Sequence, residues 1–231
     1  MPYLILQAAS FVVVVAVFAC FFRLRGYLWL LAYLGYSILD LLALEVTPQL
    51  PNTQWNWSGK LVSIVLACIA IPVMRISRDE AGLTLPRTRS SMLWTAGGTL
   101  LAVLVAVAVN SIGRSHQWPT MESLWFEATL PGIGEEIAYR GIAFALFARC
   151  FVVQSPKWAW VPPVLGPTVF FALGHGFTFN HFTPHLEWLP CAYAFVMGLI
   201  LAVLRLRSKS LLGSVAAHNA ANLLGTIVDG L

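Results

Sequence analysis

Long apolar stretches recur along the whole chain, and they restrict its possible folds more than any other feature. Hydrophobic residues make up 58% of the 231 residues. Charged residues make up only 10%, against about 25% in soluble proteins. Because helices satisfy their own backbone hydrogen bonds in lipid, we predict an all-α, polytopic transmembrane helical bundle that forms one integral membrane domain over residues 1–231. The eight predicted spans are about residues 2–22, 27–46, 60–74, 92–112, 134–153, 158–177, 188–204 and 211–228.

The basic residues lie almost entirely at one end of these spans. One set of alternate loops and span ends contains Arg23, Arg25, Arg75, Arg78, Arg87, Arg89, Arg149, Lys157, Arg205, Arg207 and Lys209. The other set keeps only Lys60 and Arg114. Because cytoplasmic loops are enriched in Lys and Arg, we predict that both termini lie outside a bacterial inner membrane. The net charge of +4 follows from this topology, so it does not predict nucleic-acid binding.

A charged motif opens the fifth apolar span, in the sequence Pro131-Gly-Ile-Gly-Glu-Glu-Ile-Ala-Tyr-Arg140. Charges inside a membrane are costly and tend to mark function. The glycines predict a helix that begins near Gly134, with both acids in its first turn, where the helix dipole favours negative charge. Glu136 and Arg140 are four residues apart and are predicted to pair on one face. Glu135 lies about 100° away around the helix and must find another partner, although a purely structural ion pair is the alternative reading of the motif.

Two later spans also carry polar residues. The sixth ends Phe170-Phe-Ala-Leu-Gly-His-Gly176, and the eighth contains His218-Asn-Ala-Ala-Asn222. His218 and Asn222 share a helix face, whereas Asn219 points elsewhere. Hydrogen bonds that merely hold helices together are the alternative interpretation. The predicted topology places Glu135, His175, His218 and Asn222 in the outer half of the bilayer. We predict that they meet in a water-accessible cavity as an active site in the membrane.

Together these segments resemble the CPBP family of intramembrane peptidases, which includes CAAX proteases and bacteriocin-processing (Abi) proteins. The motifs that carry the resemblance are Glu135-Glu136-Ile-Ala-Tyr-Arg140, Phe171-Ala-Leu-Gly-His175 and His218-Asn-Ala-Ala-Asn222. It covers about residues 130–225 and implies a catalytic core at residues 121–231, preceded by family-variable spans at residues 1–120. Glu136 and Arg140 would position the motif helix.

The resemblance further implies a glutamate-dependent intramembrane endopeptidase that uses no metal and no other cofactor. Glu135 would be the general base that activates water, helped by His175. His218 and Asn222 would stabilise the oxyanion of the tetrahedral intermediate. The partners implied are the lipid bilayer and a membrane-anchored protein or peptide substrate. Because the topology puts the site toward the outer face, we expect cleavage near the carboxyl terminus of such a substrate, as in C-terminal protein sorting.

Three other functions remain open at the level of sequence. A zinc protease would use Glu135, His175 and His218 as ligands and Glu136 as base, although no His-Glu-x-x-His motif is present and the four cysteines lack metal-type spacing. A transporter or proton relay also clusters membrane carboxylates and histidines, but the internal repeat typical of transporters is absent from the sequence. A non-catalytic immunity or scaffold protein is the third alternative.

Overall fold

The chain folds into a bundle of long helices, which confirms the predicted all-α membrane architecture. The computed structural model describes residues 2–86, 88–112, 115–180 and 183–231. Its helices are α1 (Pro2–Phe21), α2 (Tyr27–Val46), α3 (Trp57–Val73), α4 (Arg78–Ala81), α5 (Arg89–Asn110), α6 (Met121–Glu127), α7 (Leu130–Glu136), α8 (Phe144–Cys150), α9 (Val161–Gly176), α10 (Trp188–Ser208) and α11 (Leu211–Asp229). A π-helical segment, Ile137–Ala143, joins α7 to α8 into one continuous helix. Within the described ranges, α1, α2, α5, α10 and α11 are long and apolar enough to cross a membrane.

Two kinds of packing hold these helices together. An aromatic core lies among α1, α2, α8 and α9, where Phe11 contacts Tyr33 and Phe170 with ring centroids 5.3 and 5.2 Å apart. Helices α5 and α11 instead meet through small residues, since Ala106 and Ala221 are completely buried, and small side chains let helix backbones approach closely in lipid. Other apolar side chains face outward, such as Ile5 at 69% exposure. Such a surface suits contact with lipid, and the protein is an integral membrane protein.

The basic loops gather at one end of the bundle. Strand β1 (Arg23–Leu24) pairs antiparallel with β2 (Phe151–Val152). Arg149 donates to the Glu80 carboxylate at 2.7 and 2.9 Å. Arg205 donates to the backbone carbonyl of Glu80 at 2.8 Å, so α4 is attached to both α8 and α10. The structure thus places these loops at a common end, as the alternation of charge predicts.

The remaining loops form the opposite end. Glu122 on α6 accepts hydrogen bonds from the backbone N–H of Gln54 at 2.9 Å and from the Trp57 indole at 3.0 Å. Trp55 stacks on Phe126, with centroids 4.9 Å apart and planes 13° from parallel. These contacts hold the loop before α3 against α6, next to the start of α7.

A short hairpin at this same end is a local exception within the all-α bundle. Strand β3 (Phe177–Asn180) pairs antiparallel with β4 (Thr183–Leu186), with Phe177 opposite Leu186. This segment, residues 178–187, lies between the sixth and seventh predicted spans. Pairing between its two arms satisfies backbone groups that an open loop would leave to solvent. The hairpin continues directly from α9, which carries His175.

Candidate active site

The helix that carries the acidic pair begins earlier than the glycines suggest. It begins at Leu130 rather than near Gly134, so the acids lie in its second turn and the predicted first-turn dipole stabilisation is wrong. Proline is suited to the first turn of a helix because its missing N–H is not needed there. Asn219 on α11 completes this start: its Oδ1 accepts from the Gly132 N–H at 3.0 Å and its Nδ2 donates to the Thr129 carbonyl at 2.9 Å.

This clamp also explains the glycine at position 132. A Cβ atom there would lie 2.1 Å from the Asn219 Oδ1, which is far inside van der Waals contact. Asn219 therefore points away from His218 and Asn222, as the helical spacing predicts, and it fixes α7 against α11. The two helices that carry the acids and His218 are thus held in register by one amide.

Glu136 forms the centre of a buried polar network. Its Oε1 accepts from Arg140 Nη1 at 2.8 Å, which confirms the predicted pair, and it lies 2.9 Å from His218 Nδ1. The side chains of Glu136 and Arg140 are 0% and 1% exposed. The guanidinium also lies 4.5 Å from the centre of the Phe171 ring and donates to the Gly198 carbonyl at 3.2 Å. Arg140 belongs to the π-helical segment, a distortion often found at functional sites.

Glu135 faces a different environment. Its Oε1 forms an ion pair with Lys60 Nζ at 2.8 Å. Its Oε2 lies 3.8 Å from His175 Nε2 and 3.9 Å from His218 Nε2, too far for direct hydrogen bonds. The side chain keeps 21% of its surface exposed. One carboxylate oxygen is therefore held by a cation, while the other points between two imidazoles.

A cavity of 440 Å³, here called the front cavity, contains all four residues predicted to be catalytic. Its polar lining includes Lys60, Glu127, Glu135, His175, His218 and Asn222. Asn222 Nδ2 donates to Glu127 Oε2 at 3.0 Å, and the Asn222 amide carries a second N–H hydrogen. Glu136 and Arg140 do not line this cavity. The adjacent acids are thus divided into one cavity-facing group and one enclosed group.

The hydrogen-bond partner of Nδ1 in each imidazole determines what Nε2, the nitrogen that faces Glu135, can do. His175 Nδ1 lies 2.9 Å from the Phe171 carbonyl oxygen, and His218 Nδ1 lies 2.9 Å from the Glu136 carboxylate. Both partners are acceptors, so Nδ1 of each ring must carry the hydrogen. Each Nε2 is then a proton acceptor when its ring is neutral and a donor when its ring is charged.

Residues 117–224 match the family model described as type II CAAX prenyl endopeptidase Rce1-like. The chain carries a domain of the CAAX-protease family. This confirms the resemblance drawn from the three motifs, and all three motifs fall inside the matched segment. No curated protein and no solved structure matches the chain. The matched domain is that of a CAAX-type intramembrane endopeptidase.

The motif analysis did not identify two charged residues that line the front cavity. Lys60 lies outside the matched segment and was interpreted only as a basic residue at the start of a span. Glu127 lies between the fourth and fifth predicted spans and belongs to none of the three motifs. The available signal for Lys60 was its position, because it is one of only two basic residues assigned to the weakly charged end. A charge opposite to that of Glu135, at the same end, is a candidate for its missing partner.

Proposed function

We propose that Glu135 is the general base of a glutamate-dependent peptide hydrolysis, with His175 as its helper. The observation that carries this proposal is the division between the two acids. Glu135 reaches the front cavity with one oxygen between two imidazoles, whereas Glu136 is fully enclosed by Arg140 and His218. A base must reach the proton it removes within hydrogen-bonding distance, directly or through one water. Only Glu135 meets that condition from the cavity side.

The reaction begins with water between the Glu135 Oε2 and the His175 Nε2. The water oxygen bonds to the substrate carbonyl carbon, and its proton passes to the Glu135 carboxylate. When the tetrahedral intermediate breaks down, the C–N bond cleaves and the carboxyl proton passes to the departing amine. Neutral His175 accepts a hydrogen bond from the same water and so orients it. Proton transfer by a positioned side chain contributes about 10²–10⁴-fold to rate.

His218 and Asn222 are proposed to stabilise the oxyanion. His218 donates from Nε2 only as an imidazolium, because its Nδ1 hydrogen is directed to Glu136. Asn222 contributes its second amide N–H while Glu127 holds the first. Removing one oxyanion donor typically costs about 10²–10³-fold in kcat.

Glu136 and Arg140 are proposed to support these groups without touching substrate. Arg140 balances the charge of Glu136 and packs on Phe171, the residue whose carbonyl orients His175. One buried network thereby orients both imidazoles. This is the positioning role that the motif resemblance implies for the pair.

The proposed hydrolysis needs no metal ion. Lys60 places its ammonium 2.8 Å from Glu135, and a fixed cation there opposes binding of a second cation to the same carboxylate. Within the described residues, no group of three His, Cys, Asp or Glu side chains has the spacing to hold a metal ion. The test is turnover of purified protein after exhaustive chelation, with metal content measured in parallel. Unchanged turnover is expected, and stoichiometric zinc whose removal abolishes activity and whose return restores it would establish the zinc mechanism instead.

The proposed substrate is a membrane-anchored protein or peptide cut near its carboxyl terminus. The front cavity lies at the end of the bundle with few basic residues, and we propose from the positive-inside rule that this end faces outward from a bacterial inner membrane. We propose that residues 121–231 form the catalytic core and that the preceding spans complete the cavity. Carboxyl-terminal peptides should be compared by mass spectrometry between host cells with the wild-type gene and cells with the Glu135→Gln variant. Shifted carboxyl termini of exported membrane-anchored proteins are expected, and shifts confined to cytoplasmic proteins would reverse the orientation.

A further inference from the structure

A second cavity, here called the rear cavity, adjoins Glu135 from another direction. Its volume is 230 Å³, and it shares Lys60, Glu135 and His175 with the front cavity. Both cavities are also lined by residues of α7 and α9, but they extend in different directions from there. The front cavity extends toward α10 and α11, whereas the rear cavity extends toward α1 and α2. Glu135 thus stands at the junction of two spaces.

The rear cavity is polar although it lies inside an apolar bundle. Asp40 and Ser63 line it, and Ser63 hydrogen-bonds the Asp40 side chain. Asp40 Oδ1 is buried and has no hydrogen-bond partner among the described residues. The Tyr36 hydroxyl is also buried without a hydrogen-bond partner among the described residues. It lies in an adjoining recess of 40 Å³ that Asp40 also lines. Buried polar atoms in proteins are normally paired with protein groups or ordered water.

We propose that the rear cavity binds water and supplies the hydrolytic water to Glu135. This inference rests on the proposed function. A water molecule occupies about 30 Å³ in the liquid and needs two to four polar partners, so the volume and the lining of Asp40, Ser63 and Lys60 suit several molecules. A peptide bound in the front cavity covers Glu135 from that side and displaces water from it. Each bond cleaved still consumes one water, and the rear cavity reaches the same carboxylate from the uncovered side.

Hydroxyl-radical footprinting of the full-length protein tests for the water directly. Radicals made by radiolysis of bound water modify neighbouring side chains even where bulk solvent is excluded. Tyr139 and Leu41 line the rear cavity and should be modified in wild-type protein. Phe147, which is 1% exposed and lies in the aromatic core, is the matched unmodified control. Absence of label on both Tyr139 and Leu41 would overturn the proposal.

Filling the rear cavity tests its role in turnover. Leu41→Phe adds apolar volume at its wall without altering Lys60, Glu135 or His175. We expect kcat to fall about tenfold, a barrier increase of about 1.4 kcal/mol, with KM unchanged because the front cavity is untouched. The matched control is Leu39→Phe on the same helix, at a position 58% exposed, which should keep wild-type kcat. Thermal stability in detergent shows whether each variant is folded.

A second variant keeps the test decisive if Leu41→Phe does not fold. Asp40→Leu removes the unpaired acceptor, and an apolar side chain of similar size avoids the cost of a buried polar atom without a partner. We expect retained or higher thermal stability, lost modification of Tyr139 and lower kcat. Wild-type kcat in a stable Asp40→Leu protein that has lost the label would contradict the supply role.

Failure of the catalytic proposal gives a different result. The Glu135→Gln variant should keep the footprint of the rear cavity while losing hydrolysis. If Glu135→Gln stays active, the proposed base is wrong, yet the label on Tyr139 and Leu41 still reports whether the water is there. If the label is absent while Glu135→Gln is inactive, the rear-cavity inference fails and the catalytic proposal stands.

Discussion

Lys60 and Glu135 are 75 residues apart in the sequence, and their charged atoms lie 2.8 Å apart in the fold. This ion pair joins the start of α3 to the second turn of α7. It also assigns the two oxygens of Glu135, since Oε1 is held by the ammonium while Oε2 faces His175 and His218. A carboxylate fixed in this way presents one defined oxygen to the front cavity.

Replacing Glu135 by Gln should abolish most turnover. The amide keeps the shape of the side chain but cannot accept the proton from water, so we expect a loss of at least about 10²-fold. Thermal stability in detergent should change little. Turnover per folded molecule is the measurement, with Glu136→Gln as the matched variant one residue away. Activity retained in Glu135→Gln but lost in a stable Glu136→Gln would transfer the role of base to Glu136.

Replacing Glu136 by Gln should unfold part of the protein population. The change leaves Arg140 and His218 without their common carboxylate in a site that excludes water. Breaking one side of a buried ion pair can cost about 3–5 kcal/mol. The double variant Glu136→Gln with Arg140→Met should recover part of the lost stability because the buried guanidinium that lost its partner is also removed. A melting temperature for the double variant no higher than that of Glu136→Gln would contradict the buried-pair account.

Replacing Lys60 by Met should reduce turnover without removing any residue of the three motifs. The cation no longer holds Oε1, so Glu135 loses its fixed orientation. We expect turnover to fall about tenfold, equivalent to about 1.4 kcal/mol in the barrier. Lys60→Arg keeps the charge and is the conservative control, which should retain more turnover than Lys60→Met. Equal turnover in wild-type and Lys60→Met protein would show that the ion pair does not contribute to catalysis.

The hairpin β3–β4 should face the outside of the cell. The prediction follows from the basic loops, which gather at the opposite end of the bundle. A single cysteine at Thr183, placed in a background without the four native cysteines, should react with an impermeant thiol reagent in intact cells. A cysteine at Lys157, near the basic end, should react only after lysis. The reverse pattern of labelling would show the opposite orientation in the membrane and would make cytoplasmic proteins the candidate substrates.

Glu80 should make the basic end of the bundle sensitive to acid. Hydrogen bonds from Arg149 lower the pKa of Glu80 from 4.5 to about 2. Because the folded-state pKa is depressed, this stabilisation is present above pH 4.5 and is lost as the pH falls from there toward 2. The thermal stability of wild-type protein minus that of Glu80→Gln should shrink over this window. Gln preserves the helix cap formed with Ser77, and a pH-independent difference would show that the ion pair contributes nothing.

The sequence by itself determined the features that depend on local geometry. Apolar runs of bilayer length require helices because lipid offers the backbone no hydrogen bonds. The four-residue spacing of Glu136 and Arg140 fixed their pairing, and the single-residue offset turned Asn219 away from His218. The motifs also identified the family. These inferences need only the repeat of one helix, which is the same in every fold.

Only the tertiary structure decided which helix faces meet. The bond from His218 to Glu136 spans 82 residues, and the Asn219 contact that sets the start of α7 spans 87 and 90. The Lys60 partner of Glu135 lies outside the motif region altogether. Apolar helix surfaces resemble one another, so the sequence does not show which other helix each of them contacts. The choice among them depends on how small and aromatic side chains pack across the whole bundle.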